Sequence, residues 1–61
     1  MKIYLDEKEV SRRIRRALST LRNERFNRKG IPYVKFGRSV RYCEDDVINF
    51  MEQRKVQTNS F

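Results

Sequence analysis

Apolar and polar residues alternate along two short stretches on either side of Gly37-Arg38. A period of two is typical of β-strands with one covered face, and it predicts strands over 33–36 and 39–42 joined by a tight turn. Glycine at the first central position suits a type II′ hairpin turn, because glycine adopts positive φ at little cost. We expect the covered face to carry Val34, Phe36, Val40 and Tyr42. On or near the other face we expect Lys35, Arg38 and Arg41.

The N-terminal half of the chain carries a helical pattern. Asp6 and Glu9 have the spacing of a capping box, which predicts a helix that begins near Glu7. Apolar residues then recur at spacings of four, three, one and three, as on one face of a helix: Val10, Ile14, Ala17, Leu18 and Leu21. This periodicity permits either one helix from about Glu7 to Asn27 or two helices with a tight turn near Arg15-Arg16.

A second helical pattern covers residues 44–55. Acidic residues begin it and basic residues end it, which complements the helix dipole, and Val47, Phe50 and Met51 fall on one stripe. We therefore predict a helix from about Glu44 to Lys55. Residues 57–61 are polar and without pattern, so we expect a single domain over 1–56 followed by a disordered tail.

The charge of the chain points to a polyanionic partner. Fifteen Lys and Arg against eight Asp and Glu give a net charge of +7 on 61 residues. Ten of the basic residues and four of the acidic ones fall in residues 1–30, against five and four in residues 31–61. A concentrated basic half favours nucleic acid or an acidic membrane surface as the partner, although a basic surface also serves solubility alone.

Several function classes have little support in the sequence. Cys43 is the single cysteine and histidine is absent, so neither an intrachain disulfide nor a Cys/His zinc site can form. Catalysis would rest on Cys43 or Asp45-Asp46, which lie at the start of the last helix, so we do not expect an enzyme. No apolar run approaches the roughly 20 residues that span a bilayer. We expect a cytoplasmic protein with no catalytic residue, cofactor, metal, small-molecule substrate or membrane partner.

A family resemblance covers residues 5–51. The residues that carry it are Leu5, Glu9-Val10, Ser19–Arg22, Pro32–Tyr42, Asp46-Val47 and Phe50. On these residues the chain resembles the small MerR-like winged helix-turn-helix modules of phage and mobile-element excisionases. The resemblance implies an α+β, mainly α fold with two N-terminal helices, a two-stranded wing hairpin and a C-terminal helix, and it favours the two-helix alternative. The chain departs from the family at Arg15-Arg16, where glycine and a hydrophobic residue are usual, and at Ala17, where the helix cap is usually serine.

The resemblance also implies which residues contact DNA. The second helix enters the major groove and presents to base edges Ser19, Thr20, Arg22, Asn23 and Arg25. The wing reaches phosphates or the minor groove with Lys35, Arg38, Ser39 and Arg41. The residues expected to contact phosphates independently of sequence are Arg12, Arg13, Arg15, Arg16, Arg28 and Lys29. Arg22 can pair with guanine and Asn23 with adenine through bidentate hydrogen bonds, whereas Arg41 can instead pair with Asp45 or Asp46.

The function that the resemblance implies is sequence-specific binding of double-stranded DNA by an excisionase-type accessory factor. Such a factor binds cooperatively as several copies, bends the DNA and assists an integrase, and it can also repress an overlapping promoter. The implied partners are therefore DNA, an integrase and further copies of the chain, at the nucleoid. Two alternatives stay open: a general small transcriptional regulator of the MerR-like type, and a basic adaptor that binds an acidic protein.

Overall fold

Three helices and a three-stranded antiparallel sheet make up the fold, seen in a computed structural model that describes residues 1–56. In chain order the elements are β1 (Tyr4–Asp6), α1 (Glu7–Ile14), α2 (Leu18–Phe26), β2 (Val34–Phe36), β3 (Ser39–Cys43) and α3 (Glu44–Gln53). The sheet order is β1-β3-β2, so β3 is the central strand. The fold is α+β, as expected. The predicted tail at 57–61 lies outside the described residues.

The sheet has one strand more than the predicted two-stranded hairpin. β1 pairs with β3, with Leu5 opposite Tyr42, and the backbone N–H of Glu44 donates to the carbonyl oxygen of Ile3 at 2.8 Å. β1 has only three residues, which is too short for an alternating pattern to indicate a strand. Its position is set instead by burial of Leu5 in the core. The chain therefore enters the domain as an edge strand before the first helix.

The N-terminal helical run is two helices, the alternative that the family resemblance favoured. Asp6 caps α1 as predicted, since its Oδ1 accepts the Glu9 backbone N–H at 2.7 Å. α1 ends at Ile14, and Arg15 caps it in the left-handed conformation with φ 54° and ψ 45°; the Arg15 N–H donates to the Ser11 carbonyl. α2 then begins after Ala17, which provides no side-chain cap. The turn is thus closed by backbone geometry rather than by glycine or a serine cap.

Replacing Arg15 by glycine is expected to stabilise the domain. A left-handed conformation costs a non-glycine residue about 1–2 kcal/mol, and the greater chain entropy of unfolded glycine offsets about 0.4–1 kcal/mol of that gain. Arg15→Gly should therefore raise the free energy of unfolding by roughly 0.5–1 kcal/mol, measured by urea denaturation.

Arg12→Gly is the matched control for this prediction, because Arg12 lies inside α1 in ordinary helical conformation. It should lower the free energy of unfolding by about 1 kcal/mol. If both substitutions destabilised the domain equally, the strain assigned to Arg15 would be absent.

The core lies between the sheet and the three helices. Its members are the buried apolar residues Leu5, Val10, Leu21, Ile31, Tyr42, Val47 and Phe50. Ile14 and Val40 pack against this cluster and are partly buried. Every helix and both β1 and β3 contribute, so the single cluster fixes the position of α2 relative to the sheet.

The prediction of a covered hairpin face was wrong for β2. The turn itself is as expected: Phe36 pairs with Ser39 across Gly37-Arg38, and Gly37 has φ 60°. However, a two-residue turn pairs even positions of one strand with odd positions of the other, and paired residues share a face. Lys35 therefore lies on the face of Val40.

The other face of the sheet carries the apolar side chains that were expected in the core. Val34 pairs with Arg41 there, and Val34 and Phe36 are 44% and 57% exposed. The Arg41 guanidinium lies 5.8 Å from the centroid of the Phe36 ring, and Tyr4 of β1 lines the same shallow concavity. The expected separation of an apolar face from a basic face is therefore found in β3 but not in β2. In β3, Val40 and Tyr42 face the core and Arg41 lies on the outer face, which it shares with Val34.

Candidate nucleic-acid interface

The outer side of α2 presents a row of exposed residues. They are spaced three, one and three positions apart, as on one helical face: Ser19, Arg22, Asn23 and Phe26. Leu21, on the opposite side, is buried in the core and fixes which side faces outward. An α-helix with its side chains is about 10–12 Å in diameter, which fits the DNA major groove of about 12 Å width.

Between α2 and the β2–β3 hairpin lies a groove, here called the basic groove. It consists of two adjoining concavities of about 500 and 410 Å³, and the residues common to both are Arg22, Arg25, Arg38 and Val40. The larger concavity is also lined by Asp6, Glu7, Lys8, Ser39 and Arg41. The smaller one is also lined by Phe26, Tyr33, Lys35 and Gly37. The smaller half therefore carries four basic side chains and no acidic one.

Arg25 forms the floor of this groove instead of projecting from it. Its side chain is only 15% exposed, and its guanidinium donates to Tyr42 Oη at 2.6 Å and to Glu7 Oε1 at 2.8 Å. The same guanidinium lies 5.8 Å and 5.9 Å from the ring centroids of Tyr33 and Tyr42. These contacts connect α2 to α1 and to the sheet. Arg25, predicted as a base contact, is thus placed as the residue that positions α2.

Arg22 is more open but also has a carboxylate partner. Its Nη2 donates to Glu7 Oε2 at 2.7 Å, and its side chain remains 55% exposed. The hydrogen bond from Arg22 is the main cause that lowers the pKa of Glu7; a hydrogen bond from Arg25 adds to it, and partial burial opposes it. The Glu7 carboxylate therefore accepts hydrogen bonds from two arginines of α2.

Acid should weaken this junction. The folded pKa of Glu7 lies below its ordinary value of 4.5, so the stabilisation is present above pH 4.5 and is lost as the pH falls through the folded pKa. Glu7→Gln should reduce the loss of thermal stability between pH 6 and pH 3. A pair worth about 1 kcal/mol corresponds to roughly 4–8 °C in Tm for a domain of this size, measurable by circular dichroism.

Glu52→Gln is the control for this pH series. Glu52 pairs with Lys55 on α3, where both side chains are 60% exposed, so this substitution should leave the pH dependence of Tm close to that of the unmodified protein. Parallel pH profiles for Glu7→Gln and the unmodified protein would contradict the role given to Glu7.

Some of the basic residues predicted to contact DNA pair with carboxylates of the protein, and others do not. Arg12 and Arg13 both pair with Glu9, and Arg13 Nη1 also donates to Glu44 Oε2 of α3 at 2.7 Å. Arg16 pairs with Glu24. Among residues 1–56, the predicted basic contact residues without an acidic partner within 4 Å are Arg15, Arg28, Lys29, Lys35, Arg38 and Arg41. The uncompensated positive charge thus lies mainly after α2 and on the hairpin.

Of the hairpin residues predicted to contact DNA, Lys35, Arg38 and Ser39 line the basic groove. Arg41 borders the larger concavity, but its guanidinium lies over the Phe36 ring on the sheet face outside the groove. The predicted alternative for Arg41, an ion pair with Asp45 or Asp46, is not what the side chain makes: Arg41 donates to the Val40 carbonyl at 2.9 Å.

On α2, the predicted residues Ser19 and Asn23 lie on the exposed row, and Thr20 beside it is half-buried. The groove-lining residues that the sequence prediction did not include are Asp6, Glu7, Lys8, Phe26, Tyr33, Gly37 and Val40. The helical spacing of Phe26 from Arg22 and Asn23 was the available signal for it.

Comparisons with known proteins assign the chain to no family. No protein-family model matches the chain, and no curated protein and no solved structure gives a significant match. Within residues 1–56, no helix has the length and apolar character needed to cross a membrane. The same residues contain no cluster of His, Cys, Asp or Glu side chains arranged to hold a metal ion.

Proposed function

We propose that this protein binds double-stranded DNA in a sequence-dependent way, with α2 in the major groove and the β2–β3 hairpin beside the sugar–phosphate backbone. This is the docking mode of a winged helix-turn-helix domain, with the hairpin as the wing. The exposed row of α2 would face base edges, since Arg22 and Asn23 carry the forked donor and acceptor groups that pair with guanine and adenine. Lys35 and Arg38 would contact phosphates and fix the register of the domain on the duplex.

The observation that carries this proposal is the basic groove. Its smaller concavity is lined by no acidic side chain and runs along the helix that presents Arg22 and Asn23 to solvent. Lys35 and Arg38 there have no acidic partner within 4 Å among residues 1–56, whereas Arg22 and Arg25 share the Glu7 carboxylate. A concave surface of one charge sign concentrates a polyanion. Attraction to phosphates does not distinguish one base from another, but the neighbouring hydrogen-bonding side chains of α2 can do so.

The biological role we propose is that of an excisionase-type accessory factor. It rests on the resemblance of residues 5–51 to the excisionase modules, including the hairpin with Lys35, Gly37-Arg38 and Arg41. In this role several copies bind adjacent sites, bend the DNA and assist an integrase, and they can repress an overlapping promoter.

Selection of bound duplexes from a random-sequence pool tests the proposal. The unmodified protein should enrich a short motif, and Asn23→Ala should lose the preference at one base pair of that motif. One bidentate contact is worth about 1–3 kcal/mol of discrimination, or roughly 5- to 150-fold in affinity. Binding to unrelated duplexes should change little, because Asn23 carries no charge.

Asn49→Ala serves as the control, since Asn49 is an exposed asparagine on α3, away from the basic groove. It should leave both the motif and the affinity unchanged. Failure of the unmodified protein to enrich any motif, or to bind duplex DNA at physiological salt, would refute the proposal. An adaptor for acidic proteins would give that result.

A further inference from the structure

Phe26 is the most exposed aromatic residue among residues 1–56. It is the last residue of α2 and is 86% exposed. Burying a phenylalanine side chain stabilises a protein relative to leaving the side chain in water, and Phe26 does not contribute this stabilisation to the fold. The side chain is held there because Leu21, on the opposite side of the same helix, is buried in the core.

The surroundings of Phe26 restrict what can cover it. It lines the smaller concavity of the basic groove together with Arg22, Lys35 and Arg38, and no acidic residue lines that concavity. Arg28 and Lys29 follow it directly, and neither has an acidic partner within 4 Å among residues 1–56. These surroundings favour an occupant that offers negative charge and an apolar group at the same place.

Duplex DNA meets both requirements in its major groove. Phosphates border the groove, and the apolar group that projects into it is the C5-methyl of thymine, which phenylalanine contacts in protein–DNA complexes. Phe26 belongs to the same exposed row of α2 as Arg22 and Asn23, so a docking that presents those two residues to base edges presents Phe26 as well.

We propose that Phe26 is a specificity-determining residue that recognises thymine through its C5-methyl group. This inference rests on the proposed function, since it requires α2 to lie in the major groove. Phe26 is four residues, about 6 Å along the helix axis, beyond Arg22, and successive base pairs rise by about 3.4 Å. The recognised thymine should therefore lie about one to two base pairs from the pair that Arg22 contacts.

Uracil in place of thymine provides the test, because the two bases differ by this methyl group alone. The selected duplex is synthesised once with thymidine and once with deoxyuridine at every T position, and the affinity of the protein for each is measured by fluorescence anisotropy. The unmodified protein should bind the thymine duplex about three- to fivefold more tightly, the factor for one buried methyl-sized group. Phe26→Ala should bind both duplexes equally, and Phe26→Leu should keep part of the preference.

Phe36→Ala is the matched control. Phe36 is also an exposed phenylalanine, but it lies on the face of the sheet outside the basic groove, so this variant should keep the full preference for thymine. Equal affinities of the unmodified protein for the two duplexes, or an unchanged preference in Phe26→Ala, would overturn the inference while leaving duplex binding intact. Absence of duplex binding by the unmodified protein would instead overturn the proposed function, and this inference with it.

Discussion

The affinity of this protein for duplex DNA is expected to fall by about two to four decades between 50 and 200 mM monovalent salt. Each phosphate that a basic side chain neutralises releases condensed counterions, and the slope of log affinity against log salt is about −0.9 per contact. The uncompensated cations after α2 and on the hairpin, together with Arg22, are enough for roughly five to seven such contacts. A fluorescence titration at several salt concentrations measures the slope directly.

A double substitution of Lys35→Gln and Arg38→Gln should make this slope shallower by about two. Both side chains line the basic groove, and neither has an acidic partner within 4 Å among residues 1–56. The matched control is Lys2→Gln with Lys55→Gln, which removes the same charge from exposed side chains outside the groove. A slope near zero for the unmodified protein would contradict the electrostatic mechanism itself. An equal change of slope in the two double variants would show that net charge rather than the groove governs binding.

The elements that short-range rules determine could be predicted from the sequence. The cap at Asp6, the turn at Gly37-Arg38 and the start of α3 each depend on residues within a few positions of one another, and each is observed where expected. α3 ends at Gln53, two residues before the predicted Lys55. The break between α1 and α2 depends on the conformation of Arg15, which the residue type itself disfavours, so the pattern of apolar residues left it open.

Contacts between distant parts of the chain could not be predicted in the same way. β1 exists because Leu5 is buried beside Tyr42, a contact between residues far apart in sequence. The pairing of Glu7 with Arg22 and Arg25 depends equally on how α1 packs against α2. For this reason the sequence predicted basic residues that line the groove, but not that Arg25 would form the floor of the groove.

The hairpin shows a different source of error. Val34, Phe36, Val40 and Tyr42 all occupy even positions, and each strand considered alone has an apolar face. Pairing across a two-residue turn places even positions of β2 with odd positions of β3, so the two apolar faces cannot coincide. Register arithmetic, which needs only the turn position, would have corrected this expectation.

One side of α2 packs in the core, and the other side carries the row of residues that we propose to contact DNA. Leu21 is 2% exposed and packs in the cluster with residues of α1, α3 and the sheet. A nine-residue helix is not stable alone in water. The position and the existence of the exposed row therefore depend on Leu21.

Leu21→Ala is expected to remove most of the stability of the domain. Truncating a buried leucine costs about 2–5 kcal/mol, whereas a domain of 61 residues has roughly 3–9 kcal/mol in total. Circular dichroism during urea denaturation should show a transition at far lower urea, or none. Loss of DNA binding should accompany it, since α2 would no longer be held beside the hairpin.

The control is Ile48→Ala on α3, where the isoleucine is 52% exposed. Its cost should stay within about 0.5 kcal/mol, and DNA binding should persist. Equal destabilisation by the two substitutions would contradict the placement of Leu21 in the core, and with it the orientation of α2 that turns Arg22, Asn23 and Phe26 outward. Strong destabilisation by Leu21→Ala alone would support that orientation without any measurement on DNA.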